Sequence, residues 1–278
     1  MSEGFDVVCE IEPATSPDLR TVRHQIGVLS SVSSRFLIPD NHIGRATVSS
    51  IAVAHEVLLM GGKAIACLNA RDRNTLGFRR DLLTAAAYGV REFLFVYGDR
   101  PESGRRSDDL TVRTMIEQAR LFAAEHYAGT DSIRIGVSSA LGPVPSWKAE
   151  ADFLFAQVGF SWGQLLRWRE AVTFNGPVYA GVMVVASAGM GRKLSADIPQ
   201  LAIPDWLLTR LADDPSAGVD YACEMLARAR ESDAFAGVHL IPVRRYREVA
   251  RRLETLLRRP VQQPQRPMQC HCLPLKRS

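Results

Sequence analysis

Eight short apolar runs recur along the chain, separated mostly by stretches with helical spacing. They read DVVCEI (6–11), RFLIPD (35–40), AIACLN (64–69), EFLFVYGD (92–99), IRIGVSS (133–139), FLFAQVGF (153–160), VYAGVMVVAS (178–187) and GVHLIPV (237–243). Each is β-branched or aromatic and apolar throughout, without strict alternation. Strands buried on both faces of a parallel sheet have that pattern. Helical spacing is clear in 47–61, with Thr47 as the expected N-cap, and in 73–89 and 108–127. Two helices, 204–213 and 218–232, are expected between strands seven and eight, whereas the gap between strands five and six is too short for a full one. Eight strands alternating with helices predict a (β/α)₈ TIM-type barrel. The rival architecture is an open doubly wound sheet, but no G-x-G-x-x-G turn follows the first strand.

Length agrees with this architecture: 278 residues, against roughly 250 for a typical barrel. A chain of that size, 46% hydrophobic and 23% charged, can bury a full core without disulfides or metals. The expected division is a barrel over 1–259 and a short tail, 260–278, whose Pro and Gln content reads as disordered.

Charge sharpens the picture. The net charge is +4, yet residues 244–278 hold ten Lys or Arg and two Asp or Glu, a local +8. The remaining 24 basic and 28 acidic residues sum to −4. A slightly acidic body argues against a nucleic-acid surface on it. The basic helix RRYREVARRLETLLRRP has an apolar face at Tyr246, Val249, Leu253 and Leu257, the mark of an amphipathic barrel helix with a solvated basic side. No transmembrane-length apolar run and no signal peptide are read, so a cytoplasmic protein with no membrane partner is expected. Five scattered cysteines suggest reduced thiols, with Cys9 and Cys67 as small buried hydrophobes. Cys270, His271 and Cys272 crowd three donors into three residues, which does not close a tetrahedral site, and no metal is expected.

A (β/α)₈ barrel places its chemistry at the C-terminal strand ends. The polar residues expected there are Glu10 and Glu12; Asp40 and Asn41; Asn69, Arg71 and Asp72; Asp99; and Ser138 and Ser139, with Gln157 inside strand six. Glu10 and Gln157 interrupt apolar strands. A carboxylate inside a strand needs a partner or its proton. Glu10 therefore reads either as a buried partner for an arginine such as Arg71 or as a proton donor among apolar neighbours. Gln157 reads as a satisfied core amide or a ligand contact, and Asp99 as a loop carboxylate or a ligand contact. His55 reads as an ordinary helix residue; His239, inside strand eight, is ambiguous.

The block NARDRNTLGFRRDLLTAAAYGVREFLFVYGDRP resembles the methylenetetrahydrofolate reductase family. In that family a polar strand end precedes a helix, and the next strand closes on Gly-Asp, often with Pro. CEIEPATSP is similar to its first strand, IPDN and SSIAVAHE to two further segments, and ADFLFAQVGF to its strand six, with Ala156 where the family has Thr. The resemblance runs over about 6–258. It implies a barrel and the reduction of 5,10-methylenetetrahydrofolate to 5-methyltetrahydrofolate. By the same resemblance Glu10 is the acid that helps open the methylene bridge, and Asp99 and Gln157 bind the pterin.

The chain also departs from the family. Cys67 replaces a strand-three histidine, Ala140 stands near a family tyrosine, and a helical stretch carrying cations for FAD phosphates is cut to LGPVPSWKAE, leaving Lys148. A pyrophosphate needs several N–H groups or cations. The departures therefore favour hydride transfer directly from NADH or NADPH, as in flavin-independent bacterial members, over an FAD-dependent reductase. A non-catalytic folate-binding or partner subunit is the third reading. Asn69 and Ser138, by strand-end position, and Lys148 are the cofactor-binding candidates. Nothing in the sequence separates NADH from NADPH or sets the oligomeric state.

Overall fold

The computed structural model describes residues 4–127, 132–198, 201 and 203–257. The expected tail 260–278, with Cys270, His271 and Cys272, lies outside the described residues.

Eight parallel strands close on themselves in chain order: β1 (Asp6–Glu10), β2 (Arg35–Ile38), β3 (Lys63–Asn69), β4 (Glu92–Val96), β5 (Arg134–Ser139), β6 (Phe153–Val158), β7 (Val178–Met183) and β8 (Gly237–Ile241). The ring shuts where Val8 of β1 pairs with His239 of β8. Around it lie α1 (Arg20–Leu29), α2 (Ser50–Leu59), α3 (Thr75–Ala87), α4 (Val112–His126), α5 (Trp162–Ala171), α6 (Ala188–Asp197), α7 (Asp205–Asp213), α8 (Ala217–Glu231) and α9 (Tyr246–Leu257). The (β/α)₈ barrel expected from the strand pattern is the observed fold.

Alternation along each strand divides the core in two. Val7 and Cys9 face the helices; Val8 faces the barrel axis, with Leu37, Ile65, Cys67, Leu94, Phe153, Phe155 and Tyr179. Glu10 therefore falls on the axial side of β1. At the N-terminal end the axis is plugged by Arg35 of β2, whose side chain is 7% exposed. Its Nη1 donates to Asp6 Oδ2 (3.0 Å) and Tyr179 Oη (2.7 Å), and its Nη2 donates to Glu92. The guanidinium also lies over the rings of Phe153 and Tyr179, 5.5 and 5.6 Å from their centroids. Burial by itself lowers the Arg35 pKa, but Glu92 and the other oxygens more than offset it and raise it.

Three local expectations are corrected. Thr47 does not cap α2, which starts at Ser50. Thr47 instead exchanges hydrogen bonds with Asn41, N to Oδ1 at 3.1 Å and Asn41 N to Oγ1 at 3.3 Å. Strand seven stops at Met183 rather than Ser187: Val184 makes one last bond to the sheet, N to Ile241 O at 3.0 Å, and Val185 carries the apolar run on to stay buried beside the helices. The gap to β8 then holds three helices, not two, because Ser187 caps α6 by accepting from Met190 N at 3.1 Å. Two of the other helices are also capped by side-chain oxygens: Asn74 accepts from Gly77 N at 2.8 Å, and Thr111 forms a capping box with Thr114. Between β5 and β6 there is one 3₁₀ turn, Ser146–Glu150, and no α-helix.

Closure is tight where β8 meets β1. A Cβ on Gly237 would stand 2.0 Å from Asp6 O. Gly237→Ala is expected to cost at least about 1–3 kcal/mol through forced backbone movement, and Arg35→Ala about 3–5 kcal/mol by leaving Glu92 and Asp6 facing a buried vacancy. Thermal unfolding checks both, at roughly 2–4 °C per kcal/mol for a chain of this size. An unchanged midpoint for Arg35→Ala would refute the structural role of the plug.

Candidate active site

The C-terminal barrel face brings one pair of ionisable groups together on the axis. Glu10 ends β1 and His239 stands on the adjacent β8, and their side chains are 15% and 11% exposed. Glu10 Oε2 lies 3.1 Å from His239 Nε2, without the alignment of a hydrogen bond. Phe155 flanks the imidazole at 5.1 Å between centroids and packs on Tyr179 in turn. Below them Cys67 is buried, and burial pushes its thiol up, with the Asp40 and Glu10 carboxylates adding to the effect. The partner of Glu10 is thus His239, not Arg71. Arg71 instead lies over the Tyr97 ring, 4.5 Å from its centroid. The signal for the Glu10–His239 pair was present in the sequence: a closed barrel makes its first and last strands neighbours.

The ends of β2 and β3 form a polar lattice. Asp40 Oδ2 accepts from Asn69 N (3.0 Å), Asn69 Nδ2 (2.9 Å) and Arg73 Nη1 (2.7 Å). Asp72 Oδ2 accepts from Asn69 Nδ2 and from Asn41 Nδ2, both at 2.8 Å, and Asp72 N donates back to Asn69 Oδ1 at 3.0 Å. Arg73 also donates to Asp81 Oδ2 at 3.2 Å and to Asn69 O. Burial would lower the Arg73 pKa, and Asp40 and Asp81 together raise it. Asn69, a candidate cofactor ligand, is 1% exposed and its amide is committed on both sides to this lattice.

Asp99 leaves β4 beyond Gly98. Gly98 has φ +91°, and a Cβ there would stand 2.8 Å from Asn69 Cβ, so this position needs glycine. Asp99 is exposed; its Oδ2 accepts from Ile43 N at 3.0 Å, and Oδ1 has no hydrogen bond among the described residues. The carboxylate therefore clasps the loop after β2 and keeps one oxygen toward solvent. The clasp continues where Glu102 N donates to Gly44 O at 2.8 Å.

Gln157 is exposed at the end of β6. The register between β6 and β7 slips there: Phe155 pairs with Tyr179, but Val158 pairs with Gly181, so three residues on β6 match two on β7. This is a β-bulge, a device that re-aims a strand-end side chain. Gly181 permits it, because a Cβ at 181 would stand 2.5 Å from Ala156 O and 2.7 Å from Val158 N. On β5, Lys148 Nζ donates to Ser138 O at 2.7 Å, and burial lowers the Lys148 pKa. Ser138 and Lys148, both cofactor-binding candidates, are thus brought together. Glu10, Gln157 and Ser138 stand at the C-terminal ends of β1, β6 and β5, and Asp99 in the loop that follows β4. His55 lies outside this face, stacked on Tyr88 at 4.6 Å.

No family model matches the chain, and no curated protein matches it. Solved structures share its fold. An EDTA monooxygenase from Chelativorans sp. BNC1 is 9% identical, with a TM-score of 0.53 over 94% of this chain and 96% of that one. A riboflavin lyase, determined with modified FMN and riboflavin, is 7% identical, with a TM-score of 0.55 over 92% of each chain. A mutant tryptophan synthase α-subunit from Pyrococcus furiosus is 13% identical, with a TM-score of 0.52 over 92% of this chain and 99% of that one. These neighbours are barrel enzymes, and at such identities the likeness establishes the shared fold alone. No helix among the described residues is long and apolar enough to cross a membrane.

The bulge makes a separable prediction. Gly181→Ala, which drives a methyl into the β6 backbone, is expected to cost about 1–3 kcal/mol. Gln157→Ala at the exposed position is expected to cost under about 0.5 kcal/mol. Equal effects on the denaturation midpoint would argue against a glycine-dependent bulge.

Proposed function

We propose that this protein reduces 5,10-methylenetetrahydrofolate to 5-methyltetrahydrofolate by hydride transfer from NADH or NADPH, without a resident flavin. The observation that carries the proposal is the Glu10–His239 pair on the barrel axis, sited among strand ends that also present Gln157 and the free oxygen of Asp99. The same three residues, Glu10, Asp99 and Gln157, match the motifs of the methylenetetrahydrofolate reductase family.

The chemistry needs a proton and then a hydride. One C–N bond of the methylene bridge opens as the leaving nitrogen takes a proton, which leaves a cationic iminium at the one-carbon unit. Hydride from the nicotinamide then adds to that carbon to give the methyl group, and oxidised nicotinamide leaves. Glu10 in its protonated form supplies the proton. His239, 3.1 Å away, is a neighbour with which the carboxyl can exchange the proton between turnovers. Asp99 Oδ1 is available to accept from the N–H edge of a pterin, and a carboxylate there favours the positive charge that develops. Gln157 offers both a donor and an acceptor to the same ring.

Direct transfer is supported by the short β5–β6 connection. Its one lysine, Lys148, is half-buried and donates to Ser138 O, so that segment offers a single partly engaged cation to a flavin pyrophosphate, which needs several donors.

Glu10→Gln is expected to lower kcat by roughly 10²–10⁴-fold, the usual contribution of a positioned general acid, while folate affinity stays within a few-fold. The check is oxidation of NADH and of NADPH with methylenetetrahydrofolate and no added flavin. Intact turnover in Glu10→Gln would remove Glu10 as the acid. Flavin released on denaturing the purified protein would reject the flavin-free reaction. Absence of oxidation with either nucleotide, with or without FAD, would leave the binding-subunit reading.

A further inference from the structure

A cavity of about 550 Å³ opens between the loops that follow β3 and β4, lined by Arg71, Arg100, Arg106, Glu102, Ser103 and Gly104 among others. Its volume lies within the range of small-molecule sites, roughly 300–1,000 Å³. Its charge is one-sided: three guanidiniums face one carboxylate. That carboxylate, Glu102, is 3.4 Å from Arg45.

The three arginines are unequally engaged. Arg106 is paired with Asp108. Arg71 packs its guanidinium on the Tyr97 ring, while its Nε is buried and has no hydrogen-bond partner. Arg106 approaches the same ring at 5.7 Å. Arg100 has no side-chain hydrogen bond or ion pair among the described residues. Among the described residues no carboxylate pairs with the Arg71 guanidinium, which has only the Tyr97 ring against it, so its charge is open to an anion. Arginine forks match the two-oxygen edge of phosphates and carboxylates.

The cavity is also tied to the candidate active site. The loop that carries Arg100 begins at Asp99, and the loop that carries Arg71 leaves the Asn69 lattice. Strands one to four span only about 15 Å of barrel wall at ~4.8 Å per strand. A ligand whose reacting end lies by Glu10 can place a charged end here.

We propose that this cavity is an oxyanion subsite that holds the charged end of a bound substrate through Arg71, Arg100 and Arg106. The shared chemistry is a phosphate or carboxylate group. Naming its bearer rests on the reductase reading: either a phosphate of the nicotinamide nucleotide or the glutamate carboxylates of the folate tail.

Binding alone tests the subsite, so its failure is distinguishable from failure of the reductase reading. Calorimetric titration would use adenosine 2′,5′-bisphosphate in one arm and p-aminobenzoyl-triglutamate in the other, on the full chain. At least one probe is expected to bind saturably, and its affinity is expected to fall about 10–100-fold in Arg100→Ala and in Arg106→Ala, the loss typical of a charge-assisted hydrogen bond. Arg71→Lys, which keeps the charge and loses the fork, is expected to weaken binding by a smaller factor. Binding of the bisphosphate alone assigns the subsite to the nucleotide; binding of the triglutamate alone assigns it to the folate tail; binding of both supports the subsite with both bearers. The proposal is overturned if neither probe binds, or if binding is unchanged in Arg100→Ala and Arg106→Ala while both variants keep the parent's thermal midpoint. Should either variant unfold, Arg100→Gln and Arg106→Gln are read by the same criterion.

Discussion

The rest of the molecule depends on one buried guanidinium. Arg35 rises from β2 into the N-terminal end of the barrel and binds oxygens from β1, β4 and β7. A charge with so little exposure is tolerable only when several oxygens surround it. Here they come from around the ring, so one side chain joins four strands of eight. Above it the axis is filled by Phe153, Phe155, Tyr179 and aliphatic side chains. The polar demands of the axis are met at the N-terminal end, and the C-terminal end is left to carry groups that the fold does not use.

That division explains how much of the structure could be read from the sequence. Eight continuously apolar runs pointed to a parallel sheet, because strands covered on both faces are so uniformly apolar, and their number together with the missing Gly-rich turn after the first favoured closure into a barrel. The same criterion misjudged β7. Val185 is as apolar as the strand before it, yet it is buried against α6 and α8 rather than in the sheet. Apolarity reports burial and does not say which partner supplies it. The error at Thr47 has a different origin: a hydroxyl near a helix start can serve a cap or a loop, and Asn41, with φ of 45°, offered the loop partner.

Site residues were legible as strand-end polar residues, but their division of labour was not. Asn69 and Asp40 look as available in sequence as Glu10 and Asp99. In the fold Asn69 is spent on holding Asp40 and Asp72, and with Arg73 they fix two loops over the mouth. Among the described residues Glu10 has no such set of partners and meets a histidine that the closure of the ring brings beside it. Distinguishing the two kinds of residue requires knowing which carboxylates have filled their lone pairs, and that is a property of three-dimensional neighbours. The bulge at Gln157 was hidden for the same reason. Its enabling residue, Gly181, is on another strand.

The arginines near Tyr97 extend this logic from residues to charges. The barrel's acidic groups at the mouth are largely satisfied within the lattice: Arg73 pairs with Asp40 and Asp81, and the Asn41 and Asn69 amides hydrogen-bond Asp72. Arg71 and Arg100 are not drawn into that lattice, although Arg71 lies only one residue from Asp72. Its guanidinium turns instead onto an exposed tyrosine face, where the ring stabilises the cation without consuming its hydrogen-bonding donors. A cation held by a π-face keeps its N–H groups for another oxygen. The same loop pair therefore does two jobs with different forces: carboxylates and amides lock its base, and an aromatic surface holds Arg71 at the rim.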